Sequence, residues 1–302
     1  MIFVIFYAII KKKRGIIMSG KICDLHTHSC FSDGTMTPSE IIDAARRSKV
    51  CAVAFCDHNT VLGLSEFLAA GEKYDDIIAV AGCEFSTSYG DTELHILGLF
   101  IPQERFDDIT RLLAEQSRMK EQSNAELVAA LNAAGYDIDL EVTKSKAKGQ
   151  INRAHIASEL TEKGYTASVE DAFKRLLEPE CGFYKPFKRI DSFEAIRFIR
   201  SLGAAAVLAH PFLDLDEVEL RRFLKEAVSA GLSGMETDYS KFDEETTALA
   251  RSIAYEFGIC RSGGSDFHGD RKPDIMLGTG RGELCVPYGY YEGLLDSLKD
   301  KR

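Results

Sequence analysis

Nine side chains in this sequence are of the types that hold divalent metals, and they recur at short, regular spacings. The first group is Asp24-Leu25-His26-Thr27-His28, with Asp33 five residues further on in a Gly-containing loop. Then come Asp57-His58, Glu84, the alternating Glu93-x-His95-x-Leu97, His210-Pro211 and Asp266-Phe267-His268, with Glu236 and Asp238 before the last. Imidazoles and carboxylates are the ligands of borderline divalent ions, and His-x-His on an extended segment puts both rings on one side. A single histidine beside a strand is more often a satisfied core or loop residue than a ligand, so no one of these motifs is strong alone. Six of the seven histidines, His26, His28, His58, His95, His210 and His268, share this setting with Asp33, Glu84 and Asp266. A chance explanation would have to multiply independent accidents. Nine ligands are too many for one ion; at about three to five protein ligands each, with shared carboxylates, they suit two or three divalent ions such as Mn, Fe or Zn.

The elements that must position these groups are short apolar runs of strand length, at 22–25, 51–56, 78–83, 94–100, 204–209, 232–235 and 259–261. Each candidate ligand lies in or just after one of them, mostly at the carboxyl end, where α/β folds place their sites. Thr37-Pro38-Ser39-Glu40 is a capping box with Pro at the first helical position. Further helices are expected over 192–201, 216–230 and 244–257. The alternation gives an α/β protein with a mainly parallel sheet, and seven strands suit barrel-like closure. From 102 to 189 only helical patterns occur, over 109–134, 153–163 and 168–177, which reads as an inserted helical substrate-binding subdomain. The expected organisation is an extension over 1–17, a barrel made of 18–101 and 190–302, and the insert over 102–189.

Composition bounds the function. The 302 residues are 45% hydrophobic and 28% charged, which fits a globular protein with a substantial core and excludes collagenous or wholly disordered classes. The formal charge of −10 argues against a duplex DNA partner. None of the eight cysteines forms a C-x2-C pair, and Cys23, Cys51, Cys56, Cys83 and Cys260 lie in apolar runs and read as small buried hydrophobes of a reducing, cytoplasmic compartment. The first ten residues are almost wholly apolar and are followed by Lys11, Lys12, Lys13 and Arg14. Ten residues are too few for a bilayer span, which takes about 20, and the charges stand on the wrong side for a signal peptide. The expectation is an upstream start or disordered extension, with Met18 opening the functional chain and no stable membrane association.

At these residues the sequence resembles the PHP family, named for polymerase and histidinol phosphatase. The matching motifs are Asp24-Leu25-His26-Thr27-His28-Ser29, Ser32-Asp33-Gly34, Thr37-Pro38, Asp57-His58, Glu84, His95, His210-Pro211 and Ser265-Asp266-Phe267-His268-Gly269. The resemblance implies a distorted (β/α)7 barrel around a trinuclear centre. It assigns His26, His28, Glu84 and Asp266 to one ion, Glu84 with His95 and His210 to a second, and Asp33, His58 and His268 to a third. The segment Gln150-Ile151-Asn152-Arg153-Ala154-His155-Ile156-Ala157 resembles the branch of small phosphoesterases acting on nucleoside 3′,5′-bisphosphates, some of which also degrade short RNA from the 5′ end. With Asn152 as N-cap, Arg153 and His155 fall in the first helical turn, where free N–H groups favour an anion. Both are therefore expected to bind substrate phosphate. Lys144, Lys146, Lys148 and Arg153 have no acid among them and would either guide a nucleotide or form a solvated loop. The implied reaction is hydrolysis of a phosphomonoester by a hydroxide bridging two ions, with no protein nucleophile. The rival readings are a histidinol phosphatase and a non-catalytic PHP binding module.

Overall fold

The computed structural model of the chain describes residues 20–146, 151–187 and 189–299. The expected extension over 1–17, with Met18, Lys148 and Gln150, lies outside the described residues. Among those described, no helix is long and apolar enough to cross a membrane.

Eight strands form one sheet: β1 (Ile22–Thr27), β2 (Val50–Phe55), β3 (Ile78–Tyr89), β4 (Thr92–Leu99), β5 (Ile190–Asp191), β6 (Ala205–Leu208), β7 (Gly234–Tyr239) and β8 (Cys260–Gly264). Their order is β1-β2-β3-β4-β6-β7-β8, with β5 paired to β3 off that path. Seven are the expected strands, and the two-residue β5 is new. Neighbours are parallel except around β4, which is antiparallel to both β3 and β6. The reason is the connection: β3 ends at Tyr89 and β4 starts at Thr92, and Gly90 takes φ +60° in the tight turn between them. A two-residue link makes a hairpin and cannot cross over to a parallel partner.

The sheet nearly closes on itself. Past β8, Phe267 bridges to Thr27 in parallel sense, Asp266 donates its N–H to the His26 carbonyl at 2.9 Å, and His28 donates to the Phe267 carbonyl at 2.8 Å. Inside, Cys23, Ala54, Val80, Leu97 and Val207 form an apolar floor with Tyr291 and Leu294 of the last helix, α10 (Tyr288–Ser297). Outside, the sheet packs on helices that include α1 (Pro38–Arg47), α2 (Leu64–Glu72), α7 (Ser192–Ser201), α8 (Glu217–Ala230) and α9 (Glu244–Glu256) through Ile42, Phe67, Ile199, Phe223 and Ile253. Thr37 caps α1 in the expected capping box. Of the cysteines read as core, Cys23, Cys56 and Cys83 are fully buried, whereas Cys51 and Cys260 are only half-buried; none of the eight is in a disulfide.

Between β4 and β5 the described chain is helical: α3 (Phe106–Ala133), α4 (Leu140–Lys146), α5 (Arg153–Glu162), α6 (Val169–Ala172) and a π-helical turn, Phe173–Leu177. α3 joins two cores. Its Ile109 and Leu113 pack with the barrel helices, and its Leu127 and Leu131 pack with Ile156, Leu160 and Leu177 in a separate cluster.

Asp24 ties β1 to the end of β8. Its buried carboxylate accepts from Ser265 N (2.8 Å), Ser265 Oγ (2.6 Å) and Gly278 N (2.7 Å). Removing a buried acceptor leaves its donors unsatisfied. Asp24→Ala is therefore expected to lower stability by about 3 kcal/mol, and Ser265→Ala by about 1 kcal/mol, both read from urea unfolding in EDTA, where metal binding does not contribute.

Candidate metal centre

The nine candidate ligands meet at one rim of the barrel. β1 delivers two of them through an irregularity: its register against β2 slips between Asp24 and Thr27. Leu25 can then pack on the barrel floor while the next residue, His26, reaches Glu84. His58 follows β2, Glu84 lies within β3 just past its parallel pairing with β2, and the two bridge to one another. His95 arrives differently. It stands near the start of β4, opposite Ser86 of β3, and the antiparallel direction brings that start to the same rim. His210 and Asp266 follow β6 and β8 with positive φ, 26° and 56°. Non-glycine residues held there are costly, and such strain concentrates at functional sites.

Glu84 is the hub. Its Oε1 lies 2.8 Å from His95 Nδ1 and 3.2 Å from His210 Nε2. Its Oε2 lies 3.4 Å from His26 Nε2, 3.2 Å from His28 Nε2 and 3.1 Å from His58 Nδ1. Asp266 Oδ1 faces His28 Nε2 at 3.3 Å, and its Oδ2 accepts from Tyr239 OH at 2.8 Å and Lys272 Nζ at 2.7 Å. Asp33 Oδ1 faces His268 Nε2 at 3.3 Å, and Oδ2 faces His58 Nε2 at 3.8 Å. Four sets of ligand atoms fall within 4.8 Å of one another: His28, Asp33, His58 and His268; His26, Glu84 and His210; His26, His28 and Asp266; His58, Glu84 and His95. The partition differs in detail from the expected one. His28 joins the Asp33 set, and beside Glu84 His210 groups with His26 whereas His95 groups with His58.

A second ring of groups holds this arrangement. Glu236 Oε1 lies 3.1 Å from His26 Nδ1, and Oε2 accepts the His210 N–H at 2.7 Å, so one carboxylate orients two candidate ligands. Asp57 accepts from Ser29 N (2.6 Å), Ser29 Oγ (2.6 Å) and Ser32 Oγ (2.7 Å), which shapes the loop carrying Asp33. In that loop a Cβ at Gly34 would sit 2.4 Å from the His28 carbonyl oxygen, so only glycine fits. Asp238 turns away, to Arg251 and Tyr290.

Electrostatics decide what the centre can bind. Burial would raise Glu84, yet the charges of His58, His95 and His26 hold it well below the usual carboxylate range. Burial would likewise raise Asp33, which His268 and His58 hold low. Burial depresses histidines, but Asp266 and Glu84 lift His28 to about 9, and Glu84 and Glu93 lift His95 to about 10. His58 goes the other way, to about 3, because burial dominates there. His26 Nε2, both ring nitrogens of His28, His58 Nδ1, His95 Nδ1, His210 Nδ1 and Glu84 Oε2 are buried without a hydrogen-bond partner. Buried polar atoms are rarely left so, and six of these seven, all but His210 Nδ1, which faces Asp214 Oδ2 at 3.9 Å, crowd together around Glu84 and match the donor set of divalent cations. These residues fit a cluster of metal ions.

Beside the centre lies a cleft of about 480 Å3, lined on one side by the helical segment with Lys120, Asn152, Arg153, Tyr184 and Arg189, and on the other by Leu213, Lys241 and Lys272. Asn152 caps α5 as expected. Arg153 faces the cleft, donating to the Leu177 carbonyl at 3.0 Å and lying 4.3 Å from the Tyr184 ring centre. His155 does not line the cleft; it is buried, with Nδ1 2.8 Å from Asn152 Oδ1, and burial lowers it to about 4, so it stays neutral. Lys144 pairs with Glu141 and Lys146 with Glu162, so acids nearby in sequence and space answer the basic run. Sequence reasoning passed over Lys120 and Arg189. Lys120 sits among mixed charges in a long helix and Arg189 in a loop, and only their neighbours in space mark them. Burial, with Arg189 and Arg153 nearby, brings Lys120 down to about 8 against the opposing pull of Asp33 and Glu93.

Residues 24–180 match the PHP domain model. A 5'-3' exoribonuclease of Haemophilus influenzae is 32% identical over 81% of this chain and 89% of its own length. A phosphoribosyl 1,2-cyclic phosphate 1,2-diphosphodiesterase of Eggerthella lenta is 28% identical over 82% and 94%. A 3',5'-nucleoside bisphosphate phosphatase of Chromobacterium violaceum is 31% identical over 87% and 94%. Among solved structures, a Chromobacterium violaceum protein described as an amidohydrolase with bound SO4 and no metal superposes with TM-score 0.78 and 26% identity, covering 91% of this chain and 96% of that one.

With His28 raised to about 9 and His95 to about 10, metal-free protein holds ring protons at neutral pH that a bound cation must displace. Mn²⁺ affinity is expected to rise from pH 7 towards pH 9. Calorimetry in buffers of different ionisation enthalpy should show proton release on binding; a pH-independent affinity without release would contradict the assignment of these rings.

Proposed function

This chain belongs to the PHP domain family and is a metal-dependent phosphoesterase, and from that premise we propose that it removes the 3′-phosphate of a nucleoside 3′,5′-bisphosphate, with short 5′-phosphorylated RNA as a longer substrate of the same site. The observation that carries the reading is the cationic wall of Lys120, Arg153 and Arg189 in the cleft that Glu84, His95 and His210 also line. A phosphomonoester with one phosphate needs only the metal centre. Three further cations from the helical segment suit a second phosphate, and Arg supplies bidentate contacts to it.

In this reading the ions are two or three in number. Glu84 Oε2, His26, His28 and Asp266 would hold one, Glu84 Oε1 with His95 and His210 a second, and Asp33, His58 and His268 a third. Bound divalent ions supply Lewis acidity and a water acidic enough to act as nucleophile near neutral pH. The protein's own part is placement. Glu236 fixes His26 and the His210 turn, Tyr239 and Lys272 hold one oxygen of Asp266, and Asp57 holds the loop of Asp33. Lys120, Arg153 and Arg189 bind and orient the phosphate that does not react, leaving the other at the metal rim. His155 acts from beneath, by holding the first turn of α5 and thus Arg153. The same wall argues against histidinol phosphate, whose amine would meet three cations.

The test offers Mn²⁺-loaded protein 3′-phosphoadenosine 5′-phosphate, AMP, histidinol phosphate, a ribose 1,2-cyclic phosphate and short 5′-phosphorylated RNA. The bisphosphate should be the best small substrate. His210→Ala should abolish turnover, while Lys120→Ala and Arg153→Ala should each raise KM for the bisphosphate about 10- to 100-fold, the worth of a charge-assisted contact, with little change for adenosine 3′-monophosphate, which lacks the phosphate that the wall holds. Preference for histidinol phosphate or for the cyclic ester would overturn the assignment.

A further inference from the structure

Glu93 lines the same cleft as Lys120, Arg153 and Arg189, and its two oxygens point to different machinery. Oε1 lies 3.5 Å from His95 Nε2, and Oε2 lies 2.7 Å from Arg189 Nη2. The opposite ring nitrogen of His95, Nδ1, is the one that faces Glu84. The topology explains why the three meet. Ser88 of β3 pairs with Glu93 of β4 on one side and with Asp191 of β5 on the other. The two-residue strand β5 thus pins the end of the helical segment to the β3–β4 hairpin, and Arg189, one residue before it, is brought to Glu93.

We propose that Glu93 is a positioning residue that couples the candidate metal ligand His95 to the substrate-facing cation Arg189. A carboxylate 3.5 Å from His95 Nε2 favours the ring form that carries its proton there and leaves the Nδ1 lone pair for a cation, as carboxylate partners of metal-bound histidines do. The other oxygen keeps the Arg189 guanidinium over the cleft, beside the Phe187 ring at 5.0 Å. A simple ion pair would account for Arg189 alone and would leave His95 indifferent to Glu93. The coupling rests on the function proposed above, in which His95 holds an ion and Arg189 a phosphate.

Mn²⁺ titration calorimetry on metal-free parent, Glu93→Ala, Glu93→Gln and Arg189→Ala separates the possibilities, combined with kinetics on the bisphosphate and on p-nitrophenyl phosphate, which carries only the reacting phosphate. Both Glu93 variants should bind one of the Mn²⁺ ions about 10- to 100-fold more weakly, and Arg189→Ala should bind like the parent. KM for the bisphosphate should rise in Glu93→Ala and in Arg189→Ala, and in Arg189→Ala by a larger factor than KM for p-nitrophenyl phosphate. Parental Mn²⁺ affinity in both Glu93 variants overturns the coupling, and so does a bisphosphate KM that rises in Arg189→Ala but not in Glu93→Ala. A parent that binds Mn²⁺ yet hydrolyses neither ester overturns the functional reading itself, and the coupling with it.

Discussion

The cost of burying charge governs this structure. Glu84, Asp33 and Asp266 are removed from water together with most of the imidazoles around them. An isolated carboxylate in such a place would take up a proton or unfold its surroundings. Glu84 remains ionised because rings approach both of its oxygens, and those rings are held in turn by other buried groups. Glu236 grips His26 and the backbone of His210, Asp57 grips the loop of Asp33, and Asp24 fastens β1 to the segment that carries Asp266. Each carboxylate is tolerated only because several donors from distant parts of the chain converge on it. Closure of the barrel and assembly of the centre are therefore one event.

The sheet shows how the same requirement shapes backbone geometry. Parallel strands present their carboxyl ends to one rim, where five of them feed candidate ligands and β7 supplies the supports Glu236 and Tyr239. A sixth contribution, His95, comes from the start of an antiparallel strand, possible because β3 runs past the rim and turns back in a tight hairpin. That hairpin also provides the edge on which β5 lands, so the return point of the helical segment is set by the strand pair that carries Glu84 and His95. The slip in β1 and the positive φ values at His210 and Asp266 are local departures from regular geometry at the same place. They are sustained by the hydrogen bonds around them.

Charge balance takes on a different meaning once the site is drawn. The chain carries a formal charge of −10, yet the cleft beside the candidate centre gathers Lys120, Arg153, Arg189, Lys241 and Lys272, which stand against Glu93, Glu178 and Asp214 and against the carboxylates Asp33, Glu84 and Asp266 of the centre itself. An acidic protein can bind an anionic ester because the field that matters is local, focused by a low-dielectric cleft and strengthened by any cations held at the centre. Lys144 and Lys146, which looked like the basic feature of the sequence, are answered by Glu141 and Glu162 and contribute little to that field.

The sequence by itself determined the chemistry and the scaffold. Metal-binding side chains must be His, Asp or Glu, strand ends are marked by apolar runs, and capping boxes at Thr37 and Asn152 follow from local hydrogen bonding, so all three are written in residue type and short-range order. It also separated the helical stretch from the strands around it, since period 3.6 and period 2 differ within a few residues. Tertiary structure alone decided which oxygen of Glu84 faces which ring, that β4 is antiparallel, that His155 supports α5 from below, and that Lys120, Arg189 and Glu93 belong to the cleft. Those facts depend on contacts between residues up to a hundred or more positions apart. An isolated lysine in a charged helix, or a glutamate two residues before a histidine, has no pattern of its own; its role is set by the groups that folding places against it.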